Sequence, residues 1–62
     1  MFQTQVVDTF IDGFQHQPRD HDREQQARDS AREITSRRRC QCHVFREGVR
    51  IDTYEDGVPT TA

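Results

Sequence analysis

The 62-residue chain contains no leucine, tryptophan, lysine or asparagine, and it has few apolar residues. Hydrophobic residue types make up 31% of it, against roughly 45–50% in ordinary globular chains. Val, Ile and Phe together number twelve. A core of this size is close to the lower limit for a domain without disulfide or metal staples. We therefore expect one small domain with a thin core that self-association or a larger partner completes.

The charges are dense but balanced, with 11 acidic and 9 basic residues and a net charge of −2. This balance excludes the globally basic surface of many nucleic-acid-binding domains. The distribution is less even, because residues 37–50 contain five arginines and only one acid, Glu47. Without lysine, every fixed cation is a guanidinium, which can make the bidentate and stacked contacts that an ammonium cannot.

Segments for export or membrane insertion are not recognisable in the chain. No run approaches the ~18 apolar residues of a membrane span, and the first residues lack the pattern of a signal peptide. The two cysteines, Cys40 and Cys42, do not form a disulfide framework. The sequence therefore predicts a cytoplasmic protein with reduced thiols and no membrane partner.

The segment 4–14 has two structural interpretations. Its apolar residues recur at i, i+1, i+4, i+5 and i+8, which is one face of an amphipathic helix. The same residue types favour strands, although strict alternation fails. We favour the helix. The polar residues 15–21 around Pro18 then predict a loop. The apolar residues of the segment are Val6, Val7, Phe10, Ile11 and Phe14.

A second helix is predicted over residues 22–38. The segment is rich in Glu, Gln, Arg and Ala and has no Gly or Pro. Ala27, Ala31 and Ile34 form a narrow stripe that could lie close to a sheet, and Arg38 could extend it by snorkelling. Asp20 or Asp22 would cap the first turn.

Residues 40–55 predict a β-hairpin. Alternation places Cys40, Cys42 and Val44 on one face of the first strand. On the second strand it groups Val49 with Ile51 on the apolar face. A two-residue turn at Glu47-Gly48 would pair Val44 with Ile51, and a four-residue loop would pair Val44 with Val49. The other face would carry Gln41, His43, Phe45, Arg50, Asp52 and Tyr54.

The fold class that follows is α+β. We expect a single small domain over residues 1–62, in which one or two helices pack on the C-terminal antiparallel hairpin. Residues 58–62 are expected to be a frayed tail. The hairpin register and the conformation of residues 2–14 remain open.

Metal binding and catalysis find little support in the sequence. Cys40, Cys42 and His43 are the only candidate metal ligands close together, but strand alternation separates the histidine from the two cysteines, and zinc needs four ligands. We expect no metal and no cofactor, with both cysteines acting as small core residues. His43 and Asp52 form an exposed cross-strand pair in this interpretation. No nucleophile motif or glycine-rich phosphate loop is present, and we expect the protein to have no enzymatic activity.

The candidate partner-binding surface joins the arginine run at the end of the helix to the polar face of the hairpin. Arginines interleaved with aromatic rings suit an acidic protein surface or RNA. The alternative explanation of the run is structural, because cations at a helix C-terminus complement the helix dipole. Exposure of the two aromatic rings would distinguish these explanations. The candidate residues are Arg37, Arg38, Arg39, Phe45, Arg46, Arg50 and Tyr54.

From Ala27 to Gly57 the chain combines a helix containing Ala-Arg-Glu-Ile-Thr-Ser-Arg, a strand through Cys42-His43-Val44, a short turn, a second strand and Glu-Asp-Gly. This half of the chain resembles a group of very small phage-encoded proteins that includes some anti-CRISPR inhibitors. That group begins with a strand, where we favour a helix in this chain, and it continues past the Glu-Asp-Gly turn with a further strand that is not predicted here. The resemblance implies a stoichiometric binder of a larger nucleoprotein, without chemistry of its own.

We therefore expect a non-enzymatic binding module, a small protein-binding or inhibitory protein of phage or mobile-element type. Its partner would be a larger protein or nucleoprotein complex. Two alternatives use the same part of the chain. The first is an accessory protein that binds RNA or DNA through the arginines. The second is a homodimer or higher oligomer joined through the edges of the hairpin.

Overall fold

The computed structural model describes residues 1–8 and 14–60. One helix and six strands lie in this part of the chain, and the strands form one antiparallel sheet. The order across the sheet is β2-β1-β4-β5-β6. β3 also pairs with β1, on the same edge as β2 but along the N-terminal part of β1. The elements are β1 (Phe2–Asp8), β2 (Phe14–Gln15), β3 (Arg19–His21), α1 (Glu24–Arg37), β4 (Cys40–Arg46), β5 (Val49–Glu55) and β6 (Val58–Pro59).

The α+β class is confirmed, but the predicted arrangement is wrong. The helix does not pack on a C-terminal hairpin alone, because β1 pairs with β4 along seven residues and widens the sheet. Strands therefore dominate, and α1 lies between them in the chain and covers one face of the sheet. The predicted loop over residues 15–21 is also largely wrong, since β2 and β3 both pair with β1.

Residues 2–8 form a strand where we favoured a helix over 4–14. Phe2, Thr4, Val6 and Asp8 face α1, so alternation does hold once it is counted from Phe2. β1 pairs with other strands on both of its edges, so its backbone hydrogen bonds are satisfied on both sides. This pairing stabilises a strand even though the apolar residues have helical spacing. The remaining apolar residues of that spacing, Phe10 and Ile11, lie outside the described residues.

The helix predicted over 22–38 is confirmed, with bounds of Glu24–Arg37. Ala27 and Ala31 are fully buried, and Thr35 continues their stripe at 2% exposure. The residue before the helix is Arg23, whose side chain makes no capping bond, and Asp20 pairs in β3 instead of capping. The small side chains let α1 lie close to the strands, which suits a sheet with few large residues.

Two tight hairpins connect the last three strands. Each has a two-residue turn, Glu47-Gly48 and Asp56-Gly57, and all four residues have positive φ, as type I′ turns require. Glycine at the second position carries this conformation without a Cβ clash. The second turn leads into β6, whose Val58 pairs with Glu55. The predicted frayed tail is therefore wrong up to Thr60, whose N–H donates to the Thr53 carbonyl at 2.7 Å.

A β-bulge changes which residues of β5 face the helix. The pairing is Phe45 with Arg50 but Val44 with Asp52, so Ile51 is the extra residue. Beyond the bulge, Asp52 and Tyr54 point to the helix side, where we had placed them on the polar face. Val49 is 64% exposed and outside the core. Neither predicted register is observed, because both assumed uninterrupted alternation.

Candidate interaction surface

The face of the sheet opposite α1 has no covering element among the described residues. We call it the open face. It is a grid of three rows, each taking one residue from β1, β4 and β5 in turn, as the strand registers place them. Seven of the nine side chains are half-buried by their neighbours, and the two at the β5 corners are exposed. The rows are Val7–Gln41–Glu55, Gln5–His43–Thr53 and Gln3–Phe45–Arg50.

His43 lies at the centre of the grid. Its Nδ1 is 2.8 Å from the Thr53 hydroxyl, and its ring meets the Phe45 ring edge-on, with centroids 6.3 Å apart. Burial lowers the pKa of His43, and Arg50 lowers it further. The ring is therefore neutral at pH 7. Asp52 faces the other side of the sheet, so the predicted His43–Asp52 pair is wrong and Thr53 replaces the aspartate.

Glutamines surround this centre, and each donates a side-chain hydrogen bond. Gln3 bonds to the Asp20 carboxylate at 2.9 Å, Gln5 to the His16 carbonyl at 3.1 Å and Gln41 to Glu55 at 3.3 Å. These bonds hold the side chains along the sheet. A primary amide has two N–H donors and a carbonyl oxygen, so each glutamine has further capacity for a partner's backbone or side chains.

Tyr54 does not belong to this surface. It is 1% exposed and packs in the core cluster with Ala27, Ala31 and Val44. The bulge in β5 accounts for the error, because it reverses the facing of the residues that follow it. Phe45 is half-buried on the open face, so only one of the two predicted aromatic rings is available to a partner.

The five predicted arginines do not form one continuous surface. The run 37–39 precedes β4, whereas Arg46 ends β4 and Arg50 follows the turn. Seven residues of strand separate Arg39 from Arg46, about 23 Å at 3.3 Å per residue. The two groups therefore lie at opposite ends of the sheet.

The arginine run is also partly engaged within the protein. Arg37 is 3.5 Å from Glu33, and Arg38 is 3.4 Å from Asp8, a residue that is only 6% exposed. These contacts agree with a structural role at the helix end, and Arg38 also forms the C-cap, with its N–H donating to the Ile34 carbonyl. Arg46 and Arg50 are exposed near the hairpin tip.

A polar network that the sequence does not reveal lies beneath α1. Arg28 donates to Asp52 at 2.7 Å, to the Tyr54 hydroxyl at 3.3 Å and to Glu24 at 3.0 Å. Hydrogen bonds to Tyr54 and then to Asp52 and Glu24 raise the pKa of Arg28. In the sequence, only the i, i+4 spacing of Glu24 and Arg28 indicates this network. The bulge that turns Asp52 toward the helix is not recognisable from the sequence.

Cys40 and Cys42 are free thiols that face α1 at 3% and 1% exposure. Burial raises the pKa of both, to about 11 for Cys42. A thiol at such a pKa is almost wholly protonated at pH 7 and is a poor nucleophile or metal ligand. His43 points to the opposite face. Within residues 1–8 and 14–60, no three His, Cys, Asp or Glu side chains are grouped for metal binding.

Comparison with known proteins finds no matching family model, no matching curated protein and no matching solved structure. The helix of the described region lacks the length and apolar character that crossing a membrane would require.

Proposed function

We propose that this protein is a non-enzymatic binding module that docks on a larger protein, alone or within a nucleoprotein complex, through the open face of its sheet. The carrying observation is the charge of that face. Charged residues make up 32% of the chain. The open face takes three residues from β1, three from β4 and Thr53 from β5, and none of these seven carries a charge, because His43 is neutral. Protein interfaces have centres depleted of charge and rims that carry it.

The chemistry of the grid supports a protein partner in a second way. Phe45 and Val7 supply apolar contact area, and the glutamines supply donors and acceptors for a partner's backbone. Arg50 and Glu55 occupy two corners of the face, where charges at an interface rim guide association more than they add affinity. Lateral hydrogen bonds order these side chains before binding, which reduces the entropy cost of association.

Nucleic acid is the second-ranked partner. On the open face Arg50 is the only cation, and Glu55 offsets it, whereas contact with a phosphate backbone needs a cluster of cations. The five arginines of the predicted surface lie in two groups at opposite ends of the sheet, and Tyr54 is buried and therefore not available for base stacking. If RNA or DNA were the ligand, gel retardation at low salt would be steeply salt-dependent and lost on charge reversal at Arg37, Arg38 and Arg39.

Self-association ranks third. The outer edge of β5 before Thr53 is open in the described residues, but the bulge at Ile51 disturbs the regular hydrogen-bonding edge that a second strand would need. Light scattering tests this alternative, because a monomer mass that does not change with concentration contradicts it.

An inhibitory role of phage or mobile-element type is the specific form of the proposal. It draws on the resemblance of residues 27–57 to very small phage-encoded proteins. The chain also begins with a strand and adds the short β6 after the Asp56-Gly57 turn, as that group does. Such a protein would act stoichiometrically by occupying a surface of its target, with the open face as the contact.

The test is site-directed photocrosslinking in the native host, with benzoylphenylalanine replacing Phe45. We expect one predominant crosslinked protein that resists nuclease treatment. Introducing Gln5→Glu places a charge in the middle row of the face, beside His43, and should reduce the yield at least about fivefold. The matched control, Gln26→Glu on the exposed side of α1, should leave it unchanged. Equal yields from the two variants, or crosslinks only to nucleic acid, would contradict the proposal.

A further inference from the structure

A groove lies on the other side of the molecule, between the C-terminal half of α1 and the edge that carries β3. Two cavities of about 380 and 340 Å³ form it, and Arg19, Ile34 and Arg38 line both. Val6 lines the cavity of about 340 Å³, and Arg37 lines the cavity of about 380 Å³. We infer that this groove binds an acidic peptide segment of a partner protein, at a site separate from the open face.

The charge of the groove favours an anionic ligand. Among the described residues that line it, three are arginines and Glu33 is the single acid. Arg19 is exposed and makes no ion pair with any residue that the structure describes. The Arg37–Glu33 pair has side chains that are 75% and 66% exposed, so a ligand carboxylate can replace Glu33 at little cost.

Arg38 can bind a ligand without leaving Asp8. Its side chain is 51% exposed, whereas that of Asp8 is 9% exposed, so the contact occupies one part of the guanidinium and the rest faces the groove. A guanidinium has five N–H donors and forms bidentate bonds with carboxylates. Asp8 also orients Arg38, which lowers the entropy cost of recruiting it.

The floor of the groove favours a peptide over a nucleic acid. Ile34 and Val6 are half-buried aliphatic side chains, and none of the described side chains that line either cavity is a Phe, Tyr or Trp. Single-stranded nucleic acids gain much of their affinity by stacking bases on aromatic rings. A peptide with alternating acidic and aliphatic residues instead places carboxylates against the arginines and its apolar side chains on Ile34.

The test measures fluorescence anisotropy of a labelled synthetic peptide of alternating Asp and Leu with the intact protein. We expect saturable binding that Arg19→Gln weakens about five- to tenfold, the loss expected of one charge-assisted contact. The matched control is Arg32→Gln, because Arg32 lies on the flank of α1 that approaches Gly57, away from the groove. It should change affinity less than about twofold. Phe45→Ala on the open face should also have no effect.

Amide chemical shifts locate the site independently. With the same peptide, the largest changes should occur at Arg19, Ile34 and Arg38, with none at His43. Any of three results would overturn the inference: no saturation at millimolar protein, equal weakening by Arg19→Gln and Arg32→Gln, or equally tight binding of an oligonucleotide of the same charge. Because both variants replace exposed arginines, folding should persist, and circular dichroism verifies this.

Discussion

Alternate residues of the same strands form the two faces of the sheet, and the two faces differ in where they place charge. The covered face buries two carboxylates, Asp8 and Asp52, which arginines from the helix side neutralise. The open face presents glutamine, histidine, valine and phenylalanine with almost no charge. Charge in this protein therefore serves internal structure as well as solubility. What faces outward at the centre of the sheet resembles an interface.

The largest expected difference between the faces concerns their aromatic residues. Tyr54→Ala should lower the free energy of unfolding by about 3–5 kcal/mol, because it empties a fully buried site. A domain this small has roughly that much stability in total, so the variant should be largely unfolded. Phe45→Ala on the open face should cost about 1 kcal/mol or less. Urea denaturation of both variants measures the contrast, and equal losses would mean that the open face is also core.

The buried carboxylate provides the next test. Asp52→Asn should lower stability by about 2–3 kcal/mol, because Arg28 then lacks its closest anionic partner beneath the helix. Asp29→Asn on the exposed side of α1 makes the same chemical change and should cost no more than about 0.5 kcal/mol. Thermal and urea unfolding compare the two. Similar small losses of stability from both variants would show that water can take the place of the Asp52 carboxylate as the partner of Arg28.

Two glycines in equivalent turns isolate the contact between the second hairpin and the helix. Both have φ near +80°, but a Cβ at Gly57 would lie 3.0 Å from the Ser36 Cβ, whereas one at Gly48 would meet nothing within 4 Å. Gly48→Ala should therefore cost about 1 kcal/mol from backbone strain alone. Gly57→Ala should cost about 2 kcal/mol. If denaturation gives equal values, the turn moves freely away from α1.

The smallest effect is a pH dependence at the open face. Because the pKa of His43 is lowered in the folded protein, the unfolded chain binds a proton more readily, and the free energy of unfolding falls as the pH drops below about 6.5. Solvent screening of the half-exposed ring keeps the loss below about 1 kcal/mol. His43→Gln should remove this part of the dependence above pH 5. An unchanged profile would assign the dependence to carboxylates alone.

The local features of the fold could be predicted from the sequence. The helix over 24–37 follows from composition and the Ala27–Ala31–Ile34 stripe, and the facing of the cysteines follows from strand alternation. The Glu47-Gly48 turn was one of two loop lengths that the sequence left open. These features depend on residues close together in the chain. The strand β1 did not follow, because its pairing with β4 joins residues more than 30 positions apart, and its apolar residues also fit a helix.

The candidate site was harder to predict for the same reason. One inserted residue, Ile51, reversed the orientation of Asp52 and Tyr54, and no turn residue or proline marks the bulge. Three of the nine side chains of the open face come from β1, and sequence alternation alone could not place them beside β4. Phe45 and Arg50 were the predicted residues that the structure places side by side.

The central position of β1 has a consequence for synthesis. Cys40–Arg46 follows Phe2–Asp8 by more than 30 positions, so one hydrogen-bonding edge of β1 stays unpaired during synthesis until β4 has left the ribosome. The two later hairpins can close within their own short stretches. The nascent chain therefore joins β1 to β4 by a late, long-range step, and until that step this edge of β1 is open to pairing with another chain.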